Sequence, residues 1–436
     1  MPLFLRPTLR SSSSLGVHQI HEPIDEELLV GDRLKFFHPT KPGEILDGKF
    51  KTIVKLGFGG GSTVWLAENL EHKKWWKPSG LRYMRRGEMA KLKLIQDADK
   101  SHEGRSYIRL PIGHFDLHGP LGIHACIVYE PMRETLLQFQ TRLPRERLNI
   151  PLFKLYIYVL LQALDYLHTK CHLIHTDLKD DNIMVTIEDN KLLQDFVKIQ
   201  RKQVQVKHIR SEDGVEIYLA DGDFGPLRGS RMMPKLSDFN ASFPGLSGKD
   251  AHASPIQAHR YRAPEVLLGC PWSYSVDIWN LGLLMWDLLE NTSLFGRPAG
   301  EDSEYDAHVH LARMVSMLGP PPEKLICRER MYRNAEISLP VYNSRGERFT
   351  NMNKYWGGPF FTDDNQIYRT ELIKEGRELS DTVTELAGQE KEVFIDFARN
   401  MLQWLPEDRP TAQDLLQHAF FDSLYKDRDS YLQRQK

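Results

Sequence analysis

Ile174-His175-Thr176-Asp177-Leu178-Lys179-Asp180-Asp181-Asn182 is the stretch on which the reading of this chain turns. Between Asp177 and Asn182 it sets a carboxylate, an ammonium and a carboxamide within six residues, just after a long apolar run. A carboxylate can accept a proton from a hydroxyl group. A lysine close by can neutralise charge developing on a phosphoryl group, and an amide oxygen is a hard ligand for a divalent cation. In isolation Asp-Asp-Asn reads as no more than a capped polar loop, so its meaning has to come from the sequence on either side.

Upstream, residues 50–56 and 63–67 read as strands flanking Gly57-Phe58-Gly59-Gly60-Gly61-Ser62. Glycines carry no Cβ, so such a turn can bring backbone N–H groups up to phosphates. A glycine hairpin without a ligand fits the residues equally well. A strand rather than a helix after the glycines disfavours a dinucleotide fingerprint. Residues 88–98 have helical spacing, with Met89, Leu92 and Ile95 on one stripe. Residues 126–129 form a short apolar strand, and 152–168 a helix whose all-round apolarity implies burial.

Downstream, the Pro-free polar stretch 188–216 reads as an insertion of strands and loop. Lys235-Leu236-Ser237-Asp238-Phe239-Asn240 ends a short apolar strand on a carboxylate, which suits a magnesium ligand or a simple turn. Tyr261-Arg262-Ala263-Pro264-Glu265 precedes a buried helix over 274–290 that contains Asp277, Trp279 and Gly282. Arg409, in Pro406-Glu407-Asp408-Arg409-Pro410, is the natural partner for Glu265 in a buried ion pair. Gly319-Pro320-Pro321-Pro322 ends a further helix, and 393–404 and 411–418 are terminal helices. No internal repeat is visible.

Composition bounds the class. The chain has 436 residues, 41% of them hydrophobic and 27% charged, with a formal net charge of −2. Near-neutral charge argues against coating nucleic acid or membrane by bulk electrostatics. Cys126, Cys171, Cys270 and Cys327 make no C-x-x-C pair, so neither a disulfide framework nor a zinc module is indicated. No apolar run approaches about 18 residues, and the most apolar stretches, 155–167 and 278–289, are interrupted by Gln162, Asp165, Asn280 and Asp287. Residues 1–20 contain Arg6, Arg10 and four consecutive serines without an acidic residue, which fits a disordered arm or a mitochondrial transit peptide.

Taken in order, these motifs resemble the eukaryotic protein kinases: glycine hairpin, helix with an inward Glu, H-x-D-x-K-x-x-N, D-F-x, A-P-E, D-x-W-x-x-G and a late Arg, spread over more than 340 residues. His175-Thr176-Asp177 in place of His-Arg-Asp, Ser62-Thr63-Val64-Trp65-Leu66-Ala67 in the hairpin, and Phe37-His38-Pro39-Thr40-Lys41-Pro42-Gly43-Glu44 before it are similar to the serine/arginine-rich splicing-factor kinases, particularly fungal members. The resemblance covers about residues 25–425. It implies an α+β, two-lobed fold. Residues 26–132 would form a strand-rich N-lobe, atypical over 71–87. Residues 133–425 would form a larger, mainly helical C-lobe with an insertion at about 188–235, and 1–25 and 426–436 would be an arm and a tail.

The resemblance also implies residue roles. Asp177 orients or deprotonates the substrate hydroxyl, and Lys179 meets the γ-phosphate of ATP. Asn182 and Asp238 hold Mg2+. Gly57, Gly59 and Ser62 cover the phosphates, while Leu56 and Val64 flank adenine. Tyr129 lines the back of the pocket, and Glu130 and Met132 supply backbone contacts to the adenine edge. Glu88 pairs with the ATP lysine. The partners implied are protein substrates, Arg/Ser-rich proteins linked to mRNA splicing, with no direct nucleic acid or membrane contact. A monomer in cytoplasm and nucleus is expected, or in mitochondria if residues 1–20 are a transit peptide. The acidic run Glu301-Asp302-Ser303-Glu304-Tyr305-Asp306 is a candidate docking element for Arg-rich peptides or an ordinary exposed loop.

The pattern breaks where the family carries an apolar strand ending in lysine. Here Pro78 and Gly80 interrupt Lys73-Lys74-Trp75-Trp76-Lys77. Lys77 substitutes for that lysine, or Lys91 or Lys93 on the following helix does, or the strand is absent through an exon boundary or degeneration. In the last case the chain is a catalytically impaired scaffold that binds nucleotide or protein. Asn240 replaces a glycine after Asp238-Phe239 and tolerates positive φ better than other residues with a Cβ. Thr176 stands where an arginine usually pairs with a phosphorylated activation segment, and residues 238–265 contain no threonine. The chain is therefore expected to be active without phosphorylation of that segment. Phosphatase-treated and untreated protein should transfer phosphate at equal rates, and loss of activity on treatment would contradict this.

Overall fold

The computed structural model describes residues 19–29, 37–71, 86–119, 122–229, 232–246, 252–300, 304–374, 376 and 378–425. They form two compact units. The first draws on residues up to 71, on 111–131 and on 189–226; the second on 86–110, 132–188 and those from 227 onward. The reading from sequence sets residues 26–132 against 133–425 with an insertion at about 188–235; the contacts group 86–110 with the second unit and 189–226 with the first.

The first unit is strand-rich. Strands Ile45–Leu46, Phe50–Gly59 and Ser62–Asn69 make an antiparallel sheet. The hairpin register pairs Gly57 with Val64, Phe58 with Thr63 and Gly59 with Ser62, leaving Gly60-Gly61 as the turn. Pro111–Gly119 and Gly122–Tyr129 form a second antiparallel pair. Leu46, Trp65 and Cys126 are buried together, with Phe50, Phe115, Leu117 and Tyr218 packed against them. Phe50 and Phe115 stack at 5.4 Å between ring centroids.

The insertion differs from the strands and loop expected of it. It opens with a helix, Asn190–Gln200, in which Leu192, Leu193, Phe196, Val197 and Gln200 are buried and Asp189 caps the N-terminus through Leu192 N–H. That amphipathic spacing is visible in the residues but was masked by their overall polarity. Strands Lys207–Ile209 and Glu216–Tyr218 follow, and Gln19–Ile20 adds a parallel third strand. A short turn, Asp25–Leu28, then meets Lys55. The Lys55 side chain is fully buried, and its ammonium group contacts Asp25 (3.0 Å), Glu26 and the Tyr218 carbonyl (2.9 Å). Burial pushes the Glu26 carboxyl above its ordinary range, partly offset by Lys55 beside it.

The second unit is built around helices Ile150–Thr169 and Ser275–Glu290; every residue of the latter from Val276 onward is buried. By length and composition Ile150–Thr169 is apolar enough to cross a membrane, which the reading of 155–167 had excluded. Its side chains are largely buried within the unit, from Phe153 to Leu167, so it serves as a core helix. Helix Arg86–Asp97 is tied to it where Tyr166 donates to the Ile95 carbonyl (2.8 Å). Close packing beside that helix requires Gly104, where a Cβ would lie 1.8 Å from the Gln162 carbonyl oxygen. Glu265 and Arg409 make the expected pair, two bonds of 2.7 Å between side chains with no exposure. Arg409 also donates to the Gln403 carbonyl and sits over Trp279.

The acidic run is committed locally. Asp306 caps helix Ala307–Leu318, and Glu304 pairs with Arg345; residues 301–303 lie outside the described ones. All four cysteines are unbridged. Because breaking a buried ion pair leaves an uncompensated charge, Arg409→Ala should lower unfolding free energy by about 3–5 kcal/mol in denaturant titrations. The apolar double variant Glu265→Leu/Arg409→Met should lose far less.

Candidate active site

The site in the second unit is assembled by a loop between two short strands. Helix Ile150–Thr169 ends, Leu173–Ile174 pairs with Phe243–Pro244, and Ile183–Thr186 pairs with Pro234–Leu236. His175 and Thr176 between them are fully buried. Their backbone N–H groups both donate to the Asp277 carboxylate, at 2.7 and 2.8 Å, and His168 Nε2 lies 2.9 Å from it. Thr176 has φ +67°, a left-handed conformation disfavoured for a β-branched residue, and these bonds hold it there. Its hydroxyl donates to the Ala241 carbonyl (2.8 Å). The residue that replaces arginine thus ties the loop to the segment after Asp238 directly.

Asp177, Lys179 and Asn182 come together. Lys179 Nζ donates to Asp177 Oδ2 (2.9 Å), and Asn182 Nδ2 donates to both the Asp177 carbonyl and its Oδ2 (2.8 Å each). One carboxylate oxygen therefore carries two donors, which sets the side chain's orientation while about a quarter of it remains exposed. With Nδ2 committed to Asp177, Asn182 presents Oδ1 as its hard donor. Strand pairing of Ile183 with Leu236 brings Asp238 to the same end as Asn182, reinforced by Ser237, whose N–H and Oγ both donate to the Asn182 carbonyl. His175 Nε2 bonds the Ser237 carbonyl, and its ring meets Phe239 edge to face at 5.4 Å. Asp238 itself is left-handed, φ +64°. One amide oxygen and one carboxylate are a donor set that fits Mg2+, which keeps several waters.

Glu88 is buried on helix Arg86–Asp97. Lys91, one turn on, donates to the Asn240 carbonyl (2.7 Å) rather than standing available for phosphates, and burial lowers its pKa. Lys77 lies outside the described residues. In the first unit Leu56, Gly57, Gly59, Ser62 and Val64 share the hairpin. A Cβ at Gly57 would meet nothing within 4 Å, and one at Gly59 only Ser62 Oγ at 3.8 Å. The second glycine position therefore leaves room along the turn, whereas Ser62 is buried. Tyr129 ends a strand of the first unit, Glu130 follows it, and Met132 begins a strand of the second.

Reasoning from sequence missed three features. Asp277 was noted only as a motif, although it anchors the loop. Lys55 went unremarked because lysine is seldom buried. A second triplet, Asp223-Phe224-Gly225, sits inside the insertion; Asp223 accepts from Gly225 N–H and Phe224 packs on Phe196 at 4.4 Å. The strand that pairs beside Ile183, Pro234–Leu236, leads into Asp238 and not into Asp223.

A protein kinase domain model matches residues 121–221 and 227–421. A serine/threonine protein kinase of Aspergillus fumigatus is 35% identical over 402 residues, covering 90% of this chain and 89% of the relative. The serine/threonine-protein kinase SRPK of Physarum polycephalum is 27% identical, covering 88% of each, and the human SRSF protein kinase 3 is 25% identical, also covering 88% of each. A crystal structure of a kinase domain superposes with a TM-score of 0.61 at 23% identity, covering 91% of this chain and 99% of that one, a likeness of fold. The scaffold alternative finds no support among relatives named as kinases. With the loop geometry and these likenesses in hand, the chain belongs to the protein kinase family and is a serine/threonine protein kinase.

Proposed function

We propose that this kinase transfers the γ-phosphate of ATP to serine, and also threonine, hydroxyls of Arg/Ser-rich proteins linked to mRNA splicing. The observation that carries the chemistry is the Asp177 carboxylate, about a quarter exposed and held by Lys179 and Asn182. The substrate class is supported by the relatives named SRPK and SRSF protein kinase. Cytoplasm and nucleus are the corresponding locations, and a monomer is sufficient for the reaction.

In this reading the substrate hydroxyl donates to Asp177, whose carboxylate takes the proton as the new O–P bond forms and the bond to the β-phosphate bridging oxygen breaks, releasing ADP. Lys179 supplies positive charge to the transferring group. Asn182 and Asp238 would hold Mg2+, which neutralises charge across the phosphates when bound. Gly57, Gly59 and Ser62 cover the phosphates, Leu56 and Val64 flank adenine, and the Glu130 and Met132 backbones meet its edge, with Tyr129 behind. Glu88 orients the lysine that meets the inner phosphates, for which Lys77 is the candidate.

Transfer of labelled phosphate from ATP to an Arg-Ser repeat peptide tests this. Asp177→Ala should reduce kcat by roughly 10²–10⁴-fold without changing the melting temperature; equal rates would refute the assignment. Asp277→Asn, which removes an acceptor from one of two buried N–H groups, should lower kcat by about ten- to a hundredfold with nucleotide KM nearly unchanged. A chain that phosphorylates an acidic peptide in preference to the Arg-Ser peptide would overturn the substrate class alone.

A further inference from the structure

The first unit holds a charge cluster that phosphoryl transfer does not explain. Lys55 lies on the strand Phe50–Gly59, two residues before the first glycine of the turn, and its side chain is fully buried. An ammonium has three N–H donors, and Lys55 has three acceptors in contact: Asp25, Glu26 and the Tyr218 carbonyl. Asp25 and Glu26 belong to the segment ahead of the sheet, and Tyr218 to the insertion. Asp25 also accepts from Ala220 N–H (2.7 Å), and Glu27 pairs with His208, so segment and insertion brace each other.

The insertion grips the same strand by its backbone. Asp221 N–H donates to the Lys55 carbonyl (2.7 Å), and Gln205 donates to the Ile53 carbonyl. Asp221 is in turn held by Gln200 at the end of the insertion's helix (2.6 Å). Gly222 lies against Leu56 so closely that a Cβ there would come within 2.6 Å of the Leu56 carbonyl oxygen. Side chain and backbone of the last residues before the glycines are thus held by two segments remote in sequence.

We propose that Lys55 is a positioning residue for nucleotide: the Asp25–Glu26–Lys55–Tyr218 cluster, with Asp221 and Gly222, sets the strand from which the glycine turn projects. A hairpin that covers phosphates must be flexible at its tip yet enter at a fixed angle. Glycines at 57, 59, 60 and 61 provide the first property, and the clamp at residues 53–56 provides the second. The inference rests on the reading of the hairpin as the nucleotide cover.

The full-length chain is assayed with ATP and an Arg-Ser peptide, and the dissociation constant of a fluorescent ATP analogue is measured in parallel. Lys55→Met is expected to raise both the KM for ATP and that dissociation constant by about 5- to 20-fold, with peptide KM and kcat within twofold. Gly222→Ala, which leaves the charges in place but pushes on the Leu56 carbonyl, should move the same two constants in the same direction, and serves where Lys55→Met does not fold. A lowered melting temperature with both constants unchanged overturns the proposal, since the cluster is then only structural. Gly57→Val, comfortable in a strand and open to space, separates the two claims. If it leaves nucleotide affinity unchanged, the reading of the hairpin fails and the proposal with it. If it weakens affinity while Lys55→Met and Gly222→Ala do not, the clamp alone fails.

Discussion

The carboxylate of Asp277 is the constraint on which the site depends. It is fully buried, and it accepts the N–H groups of His175 and Thr176 while His168 lies against it. A buried carboxylate without donors would carry a large desolvation cost, and two buried N–H groups without an acceptor would carry another. Each half removes the other's penalty. The carboxylate also lies in the first turn of helix Ser275–Glu290, where the helix dipole favours negative charge. The loop therefore cannot relax away from the helix without exposing both penalties, and this holds Thr176 in a left-handed conformation that its side chain resists. Asp177 follows directly, so its direction is inherited from a residue a hundred positions later.

Buried charge recurs in this chain with different consequences. Glu265 and Arg409 meet in two parallel bonds, geometry that suits a guanidinium fork, and they join segments far apart in sequence. Lys55 gathers two carboxylates and a carbonyl around a point charge. Lys179 is different: it shares Asp177 with Asn182 and stays partly exposed, so it can exchange that partner for another anion. Full enclosure is common to the Lys55 cluster and the Glu265–Arg409 pair, while Lys179 and Asp177 both keep about a quarter of their side chains exposed.

The insertion shows how composition can conceal structure. Its polarity suggested loop and strands, yet Leu192, Leu193, Phe196 and Val197 form a helical stripe under an Asp189 cap. Its Asp223-Phe224-Gly225 spells the same Asp-Phe pair as Asp238-Phe239-Asn240, which follows the strand Pro234–Leu236. The letters alone do not separate the two triplets; the strand Pro234–Leu236, which leads into Asp238, pairs with residues 183–185 next to Asn182, whereas Asp223 lies in the insertion.

By itself the sequence determined the kinase fold, the helices that enclose the loop, the Glu265–Arg409 pair and the close grouping of Asp177, Lys179 and Asn182. Each of these rests on local spacing or on residue types with few other uses. Only the tertiary structure decided that Asp277 anchors the loop, that Thr176 bonds Ala241, that Lys91 reaches Asn240, and that Lys55 is enclosed by an N-terminal turn and the insertion. Those are contacts between residues tens to more than a hundred and fifty positions apart, and hydrogen bonding depends on distance and direction in space, which no periodicity along the chain encodes.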